Sequence, residues 1–269
     1  MRYYKGFNPD FTCKGKQYEE NHDYEETGTQ ICGEGMMHFC ENPFDVWNYY
    51  PIVNANGELN EYAEVEPLAD VVTREDKCAS TKIHIGAKIG LTGIIKAAVE
   101  FVIEKTKIEK EENVIGSSGD YAKIGSSGNS AQIGSSGNSA QIGSSGYYAK
   151  IGSSGYSAKI GSSGYSAQIG SSGDYAQIGS SGYYAKIGSS GDSAQIVSTG
   201  EDSVICCAGH GSVVRAKKGS WITLAEWENN KEKGRWTPKT VQTFFVDGET
   251  VKADTPYTLK NGRLEEVDE

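Results

Sequence analysis

Ten isoleucines, from Ile115 to Ile196, fall nine residues apart without a slip. Between them one phrase, Ile-Gly-Ser-Ser-Gly-x-x-Ala-Lys/Gln, recurs with few changes. A unit this short cannot bury its own apolar face, so a strict period of this kind implies units stacked on one another. The middle third of the chain therefore reads as a solenoid.

One unit, 156–164, shows what the phrase builds. Ser157, Ala158, Lys159 and Ile160 alternate polar and apolar, the period of a half-buried strand. Ala158 and Ile160 are expected to point inward, Ser157 and Lys159 outward. Gly161-Ser162-Ser163-Gly164 is expected to turn the chain, with its glycines free to take positive φ.

Two units per coil would make a two-sided roll; three would make a triangular helix. The residue before each alanine matches its equivalent three units on in five of six pairs, but two units on in one of seven. That favours like stacked on like in a triangle. Core volume argues the other way, because one Ala and one Ile per unit are too small to fill a wide lumen at native packing density. The two-sided roll is preferred. Ile205 and Val214 keep the phase, so about eleven units stack over about 26 Å.

The fold class expected is mainly β: a parallel β-solenoid of nonapeptide repeats with an N-terminal α+β module and a small antiparallel C-terminal cap. The modules fall at 1–82, at 83–114 (capping helix and connector), at 115–214 (solenoid) and at 215–269 (cap). Apolar residues from Ile89 to Ile103 recur at helical spacing, which predicts a helix near 90–106 lying against the first coil. Residues 107–112 form a charged connector. In the cap, 220–227 and 240–246 read as strands. Asp247-Gly248 and Asn261-Gly262 read as turns.

The chain's net charge of −10 is uneven. Residues 1–114 carry 12 Lys or Arg against 21 Asp or Glu, whereas 115–197 carry four lysines and three aspartates. A nearly neutral coil disfavours both mimicry of duplex DNA and nucleic-acid binding by a basic groove. No run approaches the length of a membrane span, and Met1-Arg-Tyr-Tyr-Lys-Gly-Phe7 has no apolar leader segment. Six cysteines suit a reducing compartment, so a cytoplasmic setting is expected.

In the N-terminal module, residues 3–7 and 35–40 read as strands, and Asn42-Pro43 reads as an N-cap with proline at the first helical position. The helix runs on through Tyr49-Tyr50 until Pro51, and 62–66 is an alternating strand. The string Lys5-Gly-Phe7, Cys13-x-Gly15, Gln17-Tyr18-Glu19, Tyr24-Glu25, Cys32, Gly35-x-x-His38-x-Cys40-Glu-Asn-Pro-x-Asp-Val-x-x-Tyr-Tyr-Pro51 resembles an uncharacterised protein family of phages, prophages and gut bacteria. Members join such a head to short Gly/Ala/Ser-rich repeats and a tail like Gly219-Ser-Trp-x-x-Leu-Ala-Glu-Trp227. The resemblance implies a mobile element acting in a host cell, and no activity. Gly35 to Phe39, followed by the helix, is also similar to the strand and helix start of ADP-ribosyltransferases. That likeness implies Glu64 or Glu66 as the carboxylate that orients the ribose of NAD. The serine expected after the strand is missing.

Cys13, Cys32, His38 and Cys40 supply the four ligands a zinc ion takes, though the spacing is not that of a knuckle. Buried thiols in a small core explain the same residues. The repeats lack the aspartate of calcium-binding nonapeptide rolls, and no cofactor is expected.

The coil face carries the remaining candidates. Tyr121, Tyr148, Tyr175 and Tyr184 are expected outward beside Lys123, Lys150 and Lys186, with Tyr147, Tyr165 and Tyr183 laddered at the corners. Tyrosine gives large, rigid contact area with a polar tip. The expected function is that of a non-enzymatic phage or prophage binding protein. It would engage a host macromolecule, a host protein before others, and blunt a host defence or regulatory factor. The alternatives are the ADP-ribosyltransferase-like enzyme and a structural virion component. Self-association through a coil face or a solenoid end would suit the same surface.

Overall fold

The computed structural model describes residues 2–28, 35–105 and 114–267. The chain divides into two compact units, Met1–Phe101 and Val102–Glu269.

The second unit is a two-sided parallel β-solenoid with two repeats per coil. Repeats alternate between two sheets. Strands Val114–Ser117, Gln132–Ser135, Lys150–Ser153, Gln168–Ser171, Lys186–Ser189 and Val204–Cys207 stack in the first. Lys123–Ser126, Gln141–Ser144, Lys159–Ser162, Gln177–Ser180, Gln195–Ser198 and Val213–Arg215 stack in the second. The register places Ile133 on Ile151 and Ile151 on Ile169, so each isoleucine sits on the one two repeats away. The two-sided roll preferred from the sequence is borne out, and the triangular alternative of three repeats per coil is set aside. The Tyr/Ser echo at three repeats does not set the stacking, because small inward side chains close two sheets together.

Within each repeat the strand lies two residues later than the alternation predicts. It runs Lys/Gln-Ile-Gly-Ser, as in Lys159–Ser162. Ile160 and Ser162 point inward and are fully buried, and Ala158 packs inside from the corner. The turn is therefore Ser163 to Ala158's equivalent, Ala167, rather than Gly-Ser-Ser-Gly. Positive φ belongs to the residue before alanine, with Ser157 at 54° and Tyr148 at 58°, and not to the repeat glycines. This left-handed residue closes the corner: the Ser157 amide donates to the Asp174 carbonyl of the next coil at 2.8 Å. Aspartate or asparagine ahead of it adds a second tie, as when Asp174 Oδ1 accepts from the Asp192 amide at 2.8 Å.

The inward serines form two buried ladders. Ser135, Ser153, Ser171 and Ser189 line one sheet; Ser144, Ser162 and Ser180 line the other. Their hydroxyls find no hydrogen-bond partner among the described residues.

At the C-terminal end, Trp221–Asn230 first continues the first sheet, parallel to Val204–Cys207, and then turns back against Arg235–Phe245. Pro256–Lys260 and Arg263–Glu266 form a hairpin on the second sheet, turning at Asn261-Gly262 as expected. Asp247-Gly248 also turns, with Asp247 Oδ1 accepting from the amides of Glu249 and Val251. It does not make a hairpin, because Pro256–Lys260 pairs with Val213–Arg215.

The first unit is α+β. Its four-stranded antiparallel sheet has the order Tyr3–Phe7, Glu61–Pro67, Lys82–Lys88, His22–Glu25. A three-stranded sheet joins Met37–Phe39, Lys77–Ser80 and Val72–Arg74. An antiparallel bridge between Tyr4 and Cys40 ties the two sheets. Asn42 caps a short helix, Pro43–Val46, accepting from the Phe44 amide at 3.2 Å. Regular helix ends at Val46, and turns carry the chain through Tyr50. A second helix, Gly90–Lys105, buries Leu91, Ile94, Ile95, Ala98 and Val99. The connector at 107–112 lies outside the described residues.

Candidate functional site

The solenoid divides the candidate tyrosines between its two edges. Tyr147, Tyr148, Tyr165, Tyr183 and Tyr184 share the corner that enters the first sheet, where Lys150 and Lys186 stand exposed. Tyr121 and Tyr175 stand on the opposite edge, as does Lys123 at the start of its strand. Tyr165 is the centre of the first group. Its ring lies 6.1 Å from Tyr147, 6.2 Å from Tyr148 and 5.1 Å from Tyr184. On the other edge Tyr175 meets Tyr156 at 5.1 Å. All these tyrosines are exposed, Tyr165 the least at 38%. These tyrosines occupy the left-handed corner residue or the one before it, and both positions leave the ring in solvent.

Beside the single row in which Lys and Gln alternate, the first sheet presents a row of glycines. A β-carbon on Gly134, Gly152, Gly170 or Gly188 would meet nothing within 4 Å. The backbone is bare there, and the face is a shallow trough flanked by the tyrosines.

The first unit contains a cavity of about 440 Å³. Strand Tyr3–Phe7, the Thr12–Cys13 and Lys16–Gln17 ribbon, strand Met37–Phe39 and the turn at Tyr49-Tyr50 enclose it. Lys5 lines it and is 4% exposed. Its Nζ donates to the His38 carbonyl at 2.8 Å and to Cys13 Sγ at 3.4 Å. The Phe7 and Tyr18 rings lie 5.5 and 5.4 Å away. Burial lowers the Lys5 pKa from its ordinary value, against the raising effect of Cys13. Gly6 leaves room for Tyr50, since a β-carbon there would lie 2.5 Å from Tyr50 Cβ. Burial raises the Tyr50 hydroxyl, and its hydrogen bond with Cys13 adds to the rise.

Cys13, His38 and Cys40 all line this cavity. Among the described residues, no group of three His, Cys, Asp or Glu is placed to hold a metal ion. Cys32 lies outside the described residues. Cys13 is engaged by Lys5 and Tyr50, and burial pushes the Cys40 thiol up. Burial, with Lys14, Lys5 and Lys77 nearby, pushes His38 down to about 4.

Glu64 and Glu66 are exposed on strand Glu61–Pro67 and do not line the cavity. Glu64 faces Arg2 at 3.9 Å. The strand bearing His38 belongs to the other sheet, so the two halves of the transferase likeness are not assembled around one space.

Residues 1–97 match a family described as a domain of unknown function, DUF7666. The matched segment coincides closely with the first compact unit, which ends at Phe101, so the cavity belongs wholly to the matched domain. No curated protein and no solved structure matches the chain.

Nothing in the sequence singles out Lys14, Lys16 or Lys77, and Lys5, Tyr18 and Tyr50 enter only through the family string. One signal was present: Tyr3-Tyr4-Lys5-Gly6-Phe7 is an otherwise apolar strand. A lysine inside such a strand is either its one solvated residue or a buried charge with a purpose.

Proposed function

We propose that the protein is a non-enzymatic binding protein of phage or prophage origin. It engages a host protein in the host cytoplasm and blunts a defence or regulatory factor. The setting rests on the resemblance of the head, repeats and tail to the phage and gut-bacterial family. The observation that carries the binding role is the convergence of Tyr147, Tyr148 and Tyr184 on Tyr165 along one exposed edge. Aromatic pairs of this kind are worth about 0.5–1.5 kcal/mol beyond their buried area. A stripe of rings held in this way loses little side-chain freedom on binding, which favours affinity.

A photo-crosslinking amino acid in place of Tyr165 tests the reading in host cells. The expected result is one discrete adduct, absent when the same group replaces Trp236, and lost when Tyr148→Ser and Tyr184→Ser are added. Equal adducts from both positions, or an adduct indifferent to the serine changes, would remove the edge from consideration.

A further inference from the structure

The first unit is acidic, yet its cavity is basic. Residues 1–101 hold nine Lys or Arg and 17 Asp or Glu. Four of those lysines, Lys5, Lys14, Lys16 and Lys77, line the cavity. Among the described residues the one carboxylate in its lining is Glu26, which pairs with Lys16 at 2.6 Å. Among the described residues, Lys5, Lys14 and Lys77 form no ion pair.

We propose that this cavity is a binding site for a small phosphorylated ligand, held by the buried Lys5 together with Lys14 and Lys77.

Lys5 is the most deeply buried of the three. An ammonium has three donors. Two are used, on the His38 carbonyl and on Cys13, which leaves one for the cavity the side chain lines. A buried cation without a carboxylate costs stability, so a lysine in this place is explained by what it binds. Lys77 is held over the Tyr49 ring at 4.3 Å, and Tyr49 is itself fixed by its hydrogen bond to Asp76. Lys14 takes a left-handed backbone, φ 50°, at the turn between the two ribbon strands. All three side chains line the same cavity, and their charges help to hold the His38 pKa down.

The chemistry selects the ligand class. Among the described residues no arginine lines the cavity; lysines bind phosphate as point charges, and four amines against one carboxylate favour a multiply charged anion over a monocarboxylate. Three uncompensated amines match the charge of about −2 on a phosphate monoester, or the larger charge of a diphosphate. A volume of about 440 Å³ lies within the usual range for small-molecule sites.

Calorimetric titration of the full chain with pyrophosphate at low salt tests the assignment. One saturable site is expected. Lys14→Gln and Lys77→Gln, which alter partly exposed side chains, should each weaken it about tenfold. Lys5→Met should weaken it at least as much while retaining the parent's circular dichroism. Lys82→Gln, in the same unit but paired with Glu25 at 3.1 Å outside the cavity, should change affinity less than about twofold. Absence of saturable binding at millimolar pyrophosphate would overturn the site. So would a Lys82→Gln loss equal to that of Lys77→Gln, which would show diffuse attraction. The serine variants of the tyrosine edge should bind pyrophosphate as the parent does, so the two sites stand or fall separately.

Discussion

A β-carbon on Gly173 would stand 2.6 Å from the carbonyl carbon of Gly155, one coil earlier, and closer still to its oxygen. The same relationship links Gly155 to Gly137 and Gly191 to Gly173. The second glycine of each Gly-Ser-Ser-Gly thus lets one coil's backbone lie against the next. The first glycine of the same repeat, Gly170, has open space where its side chain would be. Gly173→Ala is therefore expected to destabilise by about 3 kcal/mol or more, because backbone in a regular stack cannot yield locally. Gly170→Ala should stay within about 0.5 kcal/mol of the parent, since alanine suits a strand at least as well as glycine. Urea denaturation of the two variants checks this, and equal losses would refute the stacking role.

The isoleucine period carried the phase of the solenoid correctly through Val214 because Ile is the only large inward side chain in each repeat. The same period left the strand boundaries two residues out. Alternation around Ala158 and Ile160 is real, but Ala158 packs from a corner, and Ser162 supplies the third inward position. Nothing local marks that serine as buried, nor Gly173 as a contact between coils. Both follow from stacking, a relationship between positions two repeats apart.

Ser162 and Ser198 occupy equivalent inward positions with opposite bonding. Ser162 Oγ is fully buried without a partner among the described residues. Ser198 Oγ meets Ser203 Oγ at 2.8 Å. Removing an unpaired buried hydroxyl while keeping the shape is neutral or stabilising, whereas removing a paired one costs about 1 kcal/mol and strands its partner. Ser162→Ala should match or exceed the parent's thermal midpoint, and Ser198→Ala should fall below it. A lower midpoint for Ser162→Ala would mean that its hydroxyl is satisfied in solution.

His38 makes the cavity sensitive to acid. Its folded pKa is lowered to about 4, against an ordinary value near 6.5. Above pH 6.5 the ring is neutral in both folded and unfolded chains. Between pH 6.5 and 4 the unfolded chain takes up the proton first, so stability falls through that window and the decrease is complete below it. For a half-buried ring the loss is about 1 kcal/mol once solvent screening is allowed for. His38→Gln should flatten that part of the profile, measured as the difference in urea midpoint from the parent at pH 7.5 and 4.5. An unchanged difference would show that burial and the neighbouring lysines do not hold the ring's pKa down.

The cavity was the least legible part of the chain for a related reason. Its walls come from segments scattered between Tyr4 and Lys77, and only folding brings them together. Cys13, His38 and Cys40 drew attention as metal ligands by residue type. The structure places the same residues beside four lysines in one cavity, the surroundings on which the proposed anion site rests.

The residue before each alanine bears the strain of the corner. Ser166 has φ 54°, a left-handed conformation that costs a residue with a β-carbon about 1–2 kcal/mol. Its amide donates to the Tyr183 carbonyl at 2.8 Å, so the stack holds it there. Ser166→Gly should stabilise by up to about 1 kcal/mol, the relief of that strain offset by the greater freedom of glycine in the unfolded chain. Ser166→Val should destabilise by about 2 kcal/mol or more, because branching at the β-carbon worsens the same clash. Asparagine, which tolerates this conformation better than other residues with a side chain, should fall between them. The order Gly, Asn, Val in thermal midpoint checks the corner geometry directly, and a valine variant as stable as the parent would place the strain elsewhere in the coil.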